Sequence, residues 1–505
     1  MMKKIRKWVK RHPVRTRRIL EILPGFVSWM LIVFPVWGSF VIPEFVAYYI
    51  IAFTVYWFYR SMSVAFLSVV GYLRLKANQK YDWMSDVRIF PDWRKVNHLV
   101  IIPTYREPVE TLDRTLERLA KQTFPPKRIH VMLSFEEREG VDAQRKARVL
   151  RTKYKKRFGH LWCTFHPDLP GEVKGKSSNT AWGAKEAKRL LVDREGLDID
   201  YITITSEDAD AIFHESYFAA LTYHFLDDPY RYNKIWQGVL FFYNNIWKVP
   251  FPVRVYNSVS SIIHVYINVR RDRLINFSSY SSSLKMIDQI GYWDVDVIPE
   301  DWRLFFKAFY ALEGHLGVEP LFLPVYADAA EAKGVWNNMV NQYEQIKRWA
   351  WGVSDTPYVF SQYILDEKAP FWEKTIRLLR LVEDHFLWPV NWFAVTIGGL
   401  LPPLLNPTFA RTIIGKTLPQ VTSFIMTLCL FALLVMLVLN FKLRPPREKS
   451  GILWRFVDMA EFLVLPIAGF VFTALPGIDA HTRLLLGKYL EYRVTEKVSP
   501  GESDG

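Results

Sequence analysis

The chain has 505 residues, room for about two to four average domains. Half of them are hydrophobic and 16% are aromatic, including 19 Trp, which excludes a disordered chain and supplies many interface residues. A formal net charge of +14 points to anionic partners: a nucleic acid, a membrane surface or a phosphorylated substrate. The 2 cysteines, Cys163 and Cys429, lie too far apart in sequence to suggest a disulfide framework or a zinc site. Cys163 reads as a buried structural thiol rather than a nucleophile.

Residues 1–18 form a basic tail with Lys3, Lys4, Arg6, Lys7, Lys10, Arg11, Arg15, Arg17 and Arg18. Such a tail holds the N-terminus on the cytoplasmic side. A signal peptide fits less well, because a second apolar span follows and no small-residue cleavage site stands out. A nucleic-acid arm fits poorly beside membrane spans, so no nucleic acid is expected as a partner. Residues 19–73 hold two apolar runs, 19–41 and 46–73, each long enough to cross a ~30 Å hydrocarbon core as a helix. The turn Pro43-Glu44 joins them as a hairpin. Arg60 inside the second run should face protein or snorkel.

Residues 74–365 read as one soluble domain. Strand-like runs at 98–103, 129–134 and 201–206 alternate with helical runs at 109–121, 142–158 and 178–191. That alternation predicts an α/β fold with a mostly parallel sheet and helices on both faces. Ligands of such sheets bind beyond the carboxyl ends of the strands. Asp208 and Asp210 lie at such an end, as do Thr104, Tyr105, Glu107 and Glu136. If the backbone there stays extended, residues i and i+2 point the same way. Asp208 and Asp210 would then face one point, suited to a hard divalent cation that also holds phosphate oxygens. The other reading of Asp-x-Asp is a solvated acidic turn.

Residues 366–384 look like an amphipathic interfacial helix. Residues 385–478 hold apolar runs at 385–405, 419–441 and 456–475, giving two or three spans. A basic loop at 442–449 should be cytoplasmic. Residues 479–505 form a C-terminal amphipathic segment.

Five motifs follow one another in order. Pro103-Thr104-Tyr105-Arg106-Glu107-Pro108 follows a strand, and Gly175-Lys176-Ser177-Ser178-Asn179 opens a helix. Asp208-Ala209-Asp210 ends a strand, and Pro299-Glu300-Asp301-Trp302 precedes a helical run. Gln345-Ile346-Lys347-Arg348-Trp349 comes last, just before the membrane segments return. This order resembles the family-2 glycosyltransferases, in particular their membrane-embedded, cellulose-synthase-like and hyaluronan-synthase-like branch. The resemblance covers about residues 95–365 and implies a nucleotide-sugar-binding domain of type A fold, inserted between transmembrane helices.

The resemblance also implies roles. Asp208 and Asp210 would bind the donor diphosphate through Mg²⁺ or Mn²⁺, and Lys176 and Arg348 would add positive charge to the same phosphates. Asp301 would be the base that takes the acceptor proton, giving inversion. Trp349 and Gln345 would face the acceptor sugar; Thr104, Tyr105, Glu107 and Glu136 would form the nucleoside loop. Arg106 stands where the family often has Asn, and Glu136 where it usually has Asp, which leaves base recognition open. A bland reading stands beside each of three motifs: a solvated Lys176, Glu300 and Asp301 as helix-start acids favoured by the dipole, and Trp349 as ordinary packing.

The implied partners are a nucleotide-sugar donor, with a UDP-sugar foremost, a glycan or lipid-linked acceptor, membrane lipids and an accessory export subunit of unknown identity. The implied setting is the inner membrane, multi-pass, with the catalytic domain cytoplasmic. The implied activity is processive polysaccharide synthesis. The alternatives are transfer of a single sugar to a polyprenyl or other lipid, and a non-catalytic scaffold or transporter. Near the end, Tyr492-Arg493-Val494-Thr495-Glu496-Lys497 resembles the branch's cytoplasmic gating segment, with chance likeness as the alternative. Five spans would leave that segment outside. The run at 456–475, with Asp458, Glu461, Pro466 and Gly469, is therefore the candidate for a re-entrant or interfacial element.

Overall fold

The structure is a computed structural model and describes residues 2–447 and 451–491; the gating-like segment at 492–497 lies outside them. The soluble part is built on an eight-stranded sheet: β1 (Asn97–Thr104), β2 (Ile129–Glu136), β3 (His160–His166), β4 (Ile202–Ser206), β5 (Ile212–Phe213), β6 (Lys234–Phe241), β7 (Tyr280–Ser283) and β8 (Gly317–Tyr326). Their order is β3-β2-β1-β4-β7-β6-β8-β5. The β-branched runs Leu99–Ile102 and Ile202–Thr205 pair in parallel at the centre, with Leu99 opposite Ile204, and are buried. β2 and β3 extend the parallel half. β7 pairs antiparallel with both β4 and β6, and β5 pairs antiparallel with β8. The sheet is therefore mixed, with β7 and β5 running against the rest.

This reversal decides what lies at the sheet's carboxyl edge. Because β7 runs backwards, Tyr280 at its start sits opposite Ser206 at the end of β4. The loop that enters β7 is thereby delivered to the edge where β1, β2 and β4 end. Two cores flank the sheet. One gathers Val100, Leu133, Leu116 and Phe218; the other gathers Leu99, Ile204, Ala184 and Phe305.

The helices Pro13–Val41 and Pro43–Lys80 form the expected hairpin, with Ile42 between them. At 1.5 Å per residue the second is about 57 Å long, far more than a ~30 Å hydrocarbon core. Its far end reaches the sheet: a side chain at Gly71 would meet Val265 Cγ1 at 2.6 Å, and Arg74 lies 5.3 Å from the centre of the Phe322 ring. Arg60 faces protein, as its cost in lipid requires, and pairs with Glu383 at 2.9 Å. Burial pushes the Cys163 thiol up to about 12.

Among the described residues, four helices are long and apolar enough to cross a membrane: Pro13–Val41, Pro43–Lys80, Ile413–Leu443 and the run Phe456–Leu486. The expected interfacial helix and the apolar run after it are one element, Phe371–Thr396. Its first half carries Arg377, Arg380, Glu383 and Asp384, too charged for the whole helix to qualify by composition. Yet its end lies with the hairpin's turn. Gly398 abuts Ile50, and Asn406 Nδ2 donates to the carbonyl of Ser39 at 3.0 Å.

The run Phe456–Leu486 behaves differently. Near its start Glu461 pairs with Arg254 of the helix Phe251–Val269, at 2.6 and 2.9 Å. Further on, Asp479 lies 3.4 Å from Lys347 of the helix Val335–Ala350. Its outward residues, Phe456, Leu463 and Ile467, are exposed. Arg254→Leu would leave the Glu461 carboxylate buried without its cation, a loss of about 3–5 kcal/mol. Thermal denaturation in detergent should show an early transition for this variant, with faster proteolysis at residues 452–465. An unchanged profile would mean that the pair does not anchor the run.

Candidate active site

The carboxyl edge gathers its charges around one ammonium. Lys176 opens the helix Lys176–Lys188. Its Nζ lies 2.8 Å from Asp208 Oδ1, 2.9 Å from Glu300 Oε1 and 3.9 Å from Asp301 Oδ1, and donates to the Ser278 carbonyl at 2.8 Å. Burial alone would lower the lysine, but Asp208, Asp301 and Glu300 outweigh it and hold the ammonium well above its ordinary value. Burial, then Glu300, pushes the Asp301 carboxyl well above the usual carboxylate range, with Lys176 pulling it back down.

Ser278, in the loop entering β7, ties these acids together. Its backbone N–H donates to Asp301 Oδ2 at 2.7 Å, and its hydroxyl donates to Asp208 Oδ2 at 2.5 Å. It holds a left-handed backbone at φ 58°, unusual for a side chain other than glycine. Asn276 Nδ2 reaches the Asp301 carbonyl at 3.0 Å, and Gln237 Oε1 accepts from the Phe277 N–H at 3.0 Å. Sequence reading missed Ser278. The only signal there is the small polar run Ser278-Ser279-Tyr280-Ser281-Ser282-Ser283, which matches no spacing rule.

The expectation that Asp208 and Asp210 face one point from an extended backbone is corrected. β4 ends at Ser206, and the Ala211 N–H closes a turn on the Asp208 carbonyl at 2.9 Å. Asp208 turns to Lys176 and Ser278. Asp210 Oδ2 instead accepts from the Asp328 N–H at 3.0 Å, and Asp328 is forked by Arg114 at 2.8 and 2.9 Å. Glu207 is fully buried, and neither carboxylate oxygen has a hydrogen-bond partner. Burial, then Asp208 and Asp210, push it well above its ordinary value.

A divalent cation would find oxygen-only donors here, which suits hard metals. No group of three or more His, Cys, Asp or Glu able to hold a metal occurs among the described residues. Asp208 and Asp210 therefore suit a cation only when phosphate oxygens complete its shell.

The nucleoside-loop residues sit together at the ends of β1 and β2. Thr104 and Glu107 are buried, and the Tyr105 ring lies under Arg138, 3.9 Å from its centre. Glu136 accepts from Arg138 Nε at 2.5 Å. Lys146, from the basic helix Val141–Tyr154, is buried. It bonds Glu139 and the Glu107 carbonyl, each at 2.7 Å, and Glu139 accepts from the Arg106 N–H at 2.8 Å. A small cavity beside them is lined by Glu136, Arg138, His166, Asp168, Glu172 and Lys174.

Gln345, Arg348 and Trp349 lie on the helix Val335–Ala350. Gln345 accepts from Gln342 at 3.2 Å, and Trp349 stacks on Phe242, ring centres 5.6 Å apart. Phe242 also meets the tilted His264 ring at 5.7 Å, and His264 stacks on Phe277, the neighbour of Ser278, at 4.8 Å. A second tie is Arg303, which lies 3.4 Å from Asp294 and 3.3 Å from Asp355.

No protein-family model matches the sequence, and no curated protein does. Among solved structures the chain is similar to the mannosyltransferase PcManGT from Pyrobaculum calidifontis in complex with GDP-Man and Mn2+. The identity is 14% over 87% of this chain and 100% of that one, with a TM-score of 0.41. It is also similar to S. aureus TarS 1-349 in complex with UDP-GlcNAc, at 13% identity over 66% and 90%, TM-score 0.36. A third is GalNAc-T7 with UDP, GalNAc and Mn2+, at 13% identity over 58% and 59%, TM-score 0.34. At these TM-scores the overlays carry no argument for this chain.

Replacing Lys176 by Met would leave Asp208, Glu300 and Asp301 facing each other without their cation. The Asp301 pKa is already raised by folding, so its contribution is present at low pH and lost as pH rises through the folded value. Without Lys176 the folded value climbs further. The variant should melt below wild type by less at pH 5 than at pH 8, in detergent. An equal loss at both pH values would contradict the charge cluster.

Proposed function

We propose that the chain is an inverting, membrane-embedded glycosyltransferase of the family-2 type, moving a sugar from a nucleotide-sugar donor to a growing glycan. The observation that carries this reading is the convergence of Lys176, Asp208 and Asp301 at the sheet's carboxyl edge, with Trp349 joined to it by a chain of aromatic contacts. Those four residues are drawn from four of the five ordered motifs.

Each residue has a task in that reading. Asp301, a carboxyl in a desolvated site, takes the proton of the attacking hydroxyl. Ser278 aims it, by donating to one of its oxygens. Lys176 leaves its carboxylate partners for the donor's diphosphate and offsets the charge that grows as the nucleotide departs. Arg348, which can fork on phosphate, approaches from the Trp349 side. Asp208 and Asp210 would hold Mg²⁺ or Mn²⁺ with the diphosphate, and the cation supplies Lewis acidity to the leaving group. Thr104, Tyr105, Glu107 and Glu136 form the nucleoside site. Trp349 offers a ring face to an acceptor sugar.

Topology supports the same reading. Both the start and the later part of the run Phe456–Leu486 hold on to the sheet domain, through Arg254 and Lys347, while Phe371–Thr396 leads to the hairpin's far turn. Four crossings, 13–41, 43–80, 385–405 and 413–443, then leave the C-terminus on the active-site side, with the run 456–486 in the interface.

Asp301→Asn should lower sugar transfer at least a hundredfold in membranes supplied with labelled UDP-, GDP- and TDP-sugars and Mg²⁺ or Mn²⁺. The acid limb of the wild-type rate should lie above the ordinary carboxylate range, because the base must lose its proton from a raised pKa. Full activity of Asp301→Asn would sink the assignment, and a product carrying one sugar would reject processivity. A cysteine placed at residue 491 should react with an impermeant maleimide only from the side where the sheet domain is accessible. Labelling from the opposite side would restore a fifth crossing.

A further inference from the structure

Away from the site, at the junction of the sheet domain and the apolar helices, lies a cluster of arginines. Arg60 comes from the helix Pro43–Lys80, Arg377 and Arg380 from Phe371–Thr396, and Arg270 and Arg273 from the loop after Phe251–Val269. Three carboxylates sit among them. Glu383 lies 2.9 Å from Arg60 and 2.5 Å from Arg273, and Asp384 lies 3.4 Å from Arg273. Asp272 is held by Arg270 at 2.8 Å and by Arg380 at 3.3 Å. Counting the exposed Glu373, one turn before Arg377, the cations still outnumber the acids.

Two guanidinium nitrogens are left over. Arg377 Nη1 and Arg380 Nη1 are buried, and neither has a hydrogen-bond partner. Arg377 otherwise rests on the Phe305 ring, 5.4 Å from its centre. Burial, then the nearby Arg377, lowers Arg380 to about 10, with Arg273 and Arg270 adding to the effect. Buried charged donors without acceptors are costly, and stacked guanidinium forks match the oxygens of a phosphate. The same helix exposes Phe371, Trp372, Ile376 and Leu379, the apolar face of an element lying at a bilayer surface. The apolar run begins directly after Asp384. Basic residues at that position meet headgroups.

We infer that Arg377 and Arg380, backed by Arg60, Arg270 and Arg273, form a site for the phosphate of an anionic lipid headgroup. The same loop leads on to Asn276 and Ser278, which hold Asp301, so the bound headgroup and the proposed base share one short segment. The binding itself does not depend on the transferase reading.

The test uses the full chain in neutral maltoside micelles, titrated with phosphatidylglycerol, phosphatidylcholine or inorganic phosphate, with the melting temperature as readout. Phosphatidylglycerol should give a saturable upward shift, and phosphatidylcholine should give none. The pair Arg377→Gln and Arg380→Gln should weaken the apparent affinity roughly 30-fold, and Arg377→Lys with Arg380→Lys should restore most of it. If the double variant does not fold, Arg377→Gln alone carries the test, since that residue shares no ion pair with the others; its affinity should fall about fivefold. Equal shifts with phosphatidylcholine, a shift with inorganic phosphate alone, or unchanged affinity in the variants would each overturn the inference.

Discussion

One ammonium organises the carboxyl edge of this protein. Lys176 is drawn into a desolvated place by Asp208, Glu300 and Asp301, and without it three acids from two elements could not lie so close. Like charges at such range repel strongly where water is excluded. The cation therefore does more than bind. It lets the end of β4, the start of the helix Glu300–Ala311 and the loop into β7 share one small volume. A diphosphate at the proposed site would have to compete for the same lysine.

The reversed strand is the second constraint. In a wholly parallel sheet, the segment before β7 would emerge on the opposite edge. Running β7 backwards brings Ser278 beside Asp208 and Asp301, where its amide and hydroxyl orient both. The strained φ of Ser278 is the local cost of that approach. The aromatic column from Trp349 through Phe242 and His264 to Phe277 then fixes the distance between the last motif and this loop.

The membrane side follows from a third constraint, the need to place charge at a boundary. Arg60, unaffordable in lipid, finds Glu383 at the point where a long helix leaves the apolar layer. Arg254 and Glu461 pull an apolar run against the sheet domain although its hydropathy would allow a crossing. Composition alone ranks that run above the charged helix Phe371–Thr396 as a candidate span.

Periodicity and order were enough to read the central strands β1, β2 and β4, the helices between them, the hairpin, and the residues that assemble around Lys176. These are local signals: β-branched runs, a helix opened by Gly175-Lys176, acids that end a strand. The sequence alone also determined that Arg60 needs a protein partner, because its desolvation cost holds in any fold. Only the tertiary structure decided the direction of β7, which depends on long-range pairing and leaves no mark in the small polar run at 278–283. It likewise decided that Asp208 and Asp210 take different partners, since a turn replaced the extended backbone after β4. It also showed that Glu207, beside Asp208, is fully buried. The charges of Phe371–Thr396 also hid that the expected interfacial helix and the apolar run after it are one element, because hydropathy counts charges without knowing which of them are paired.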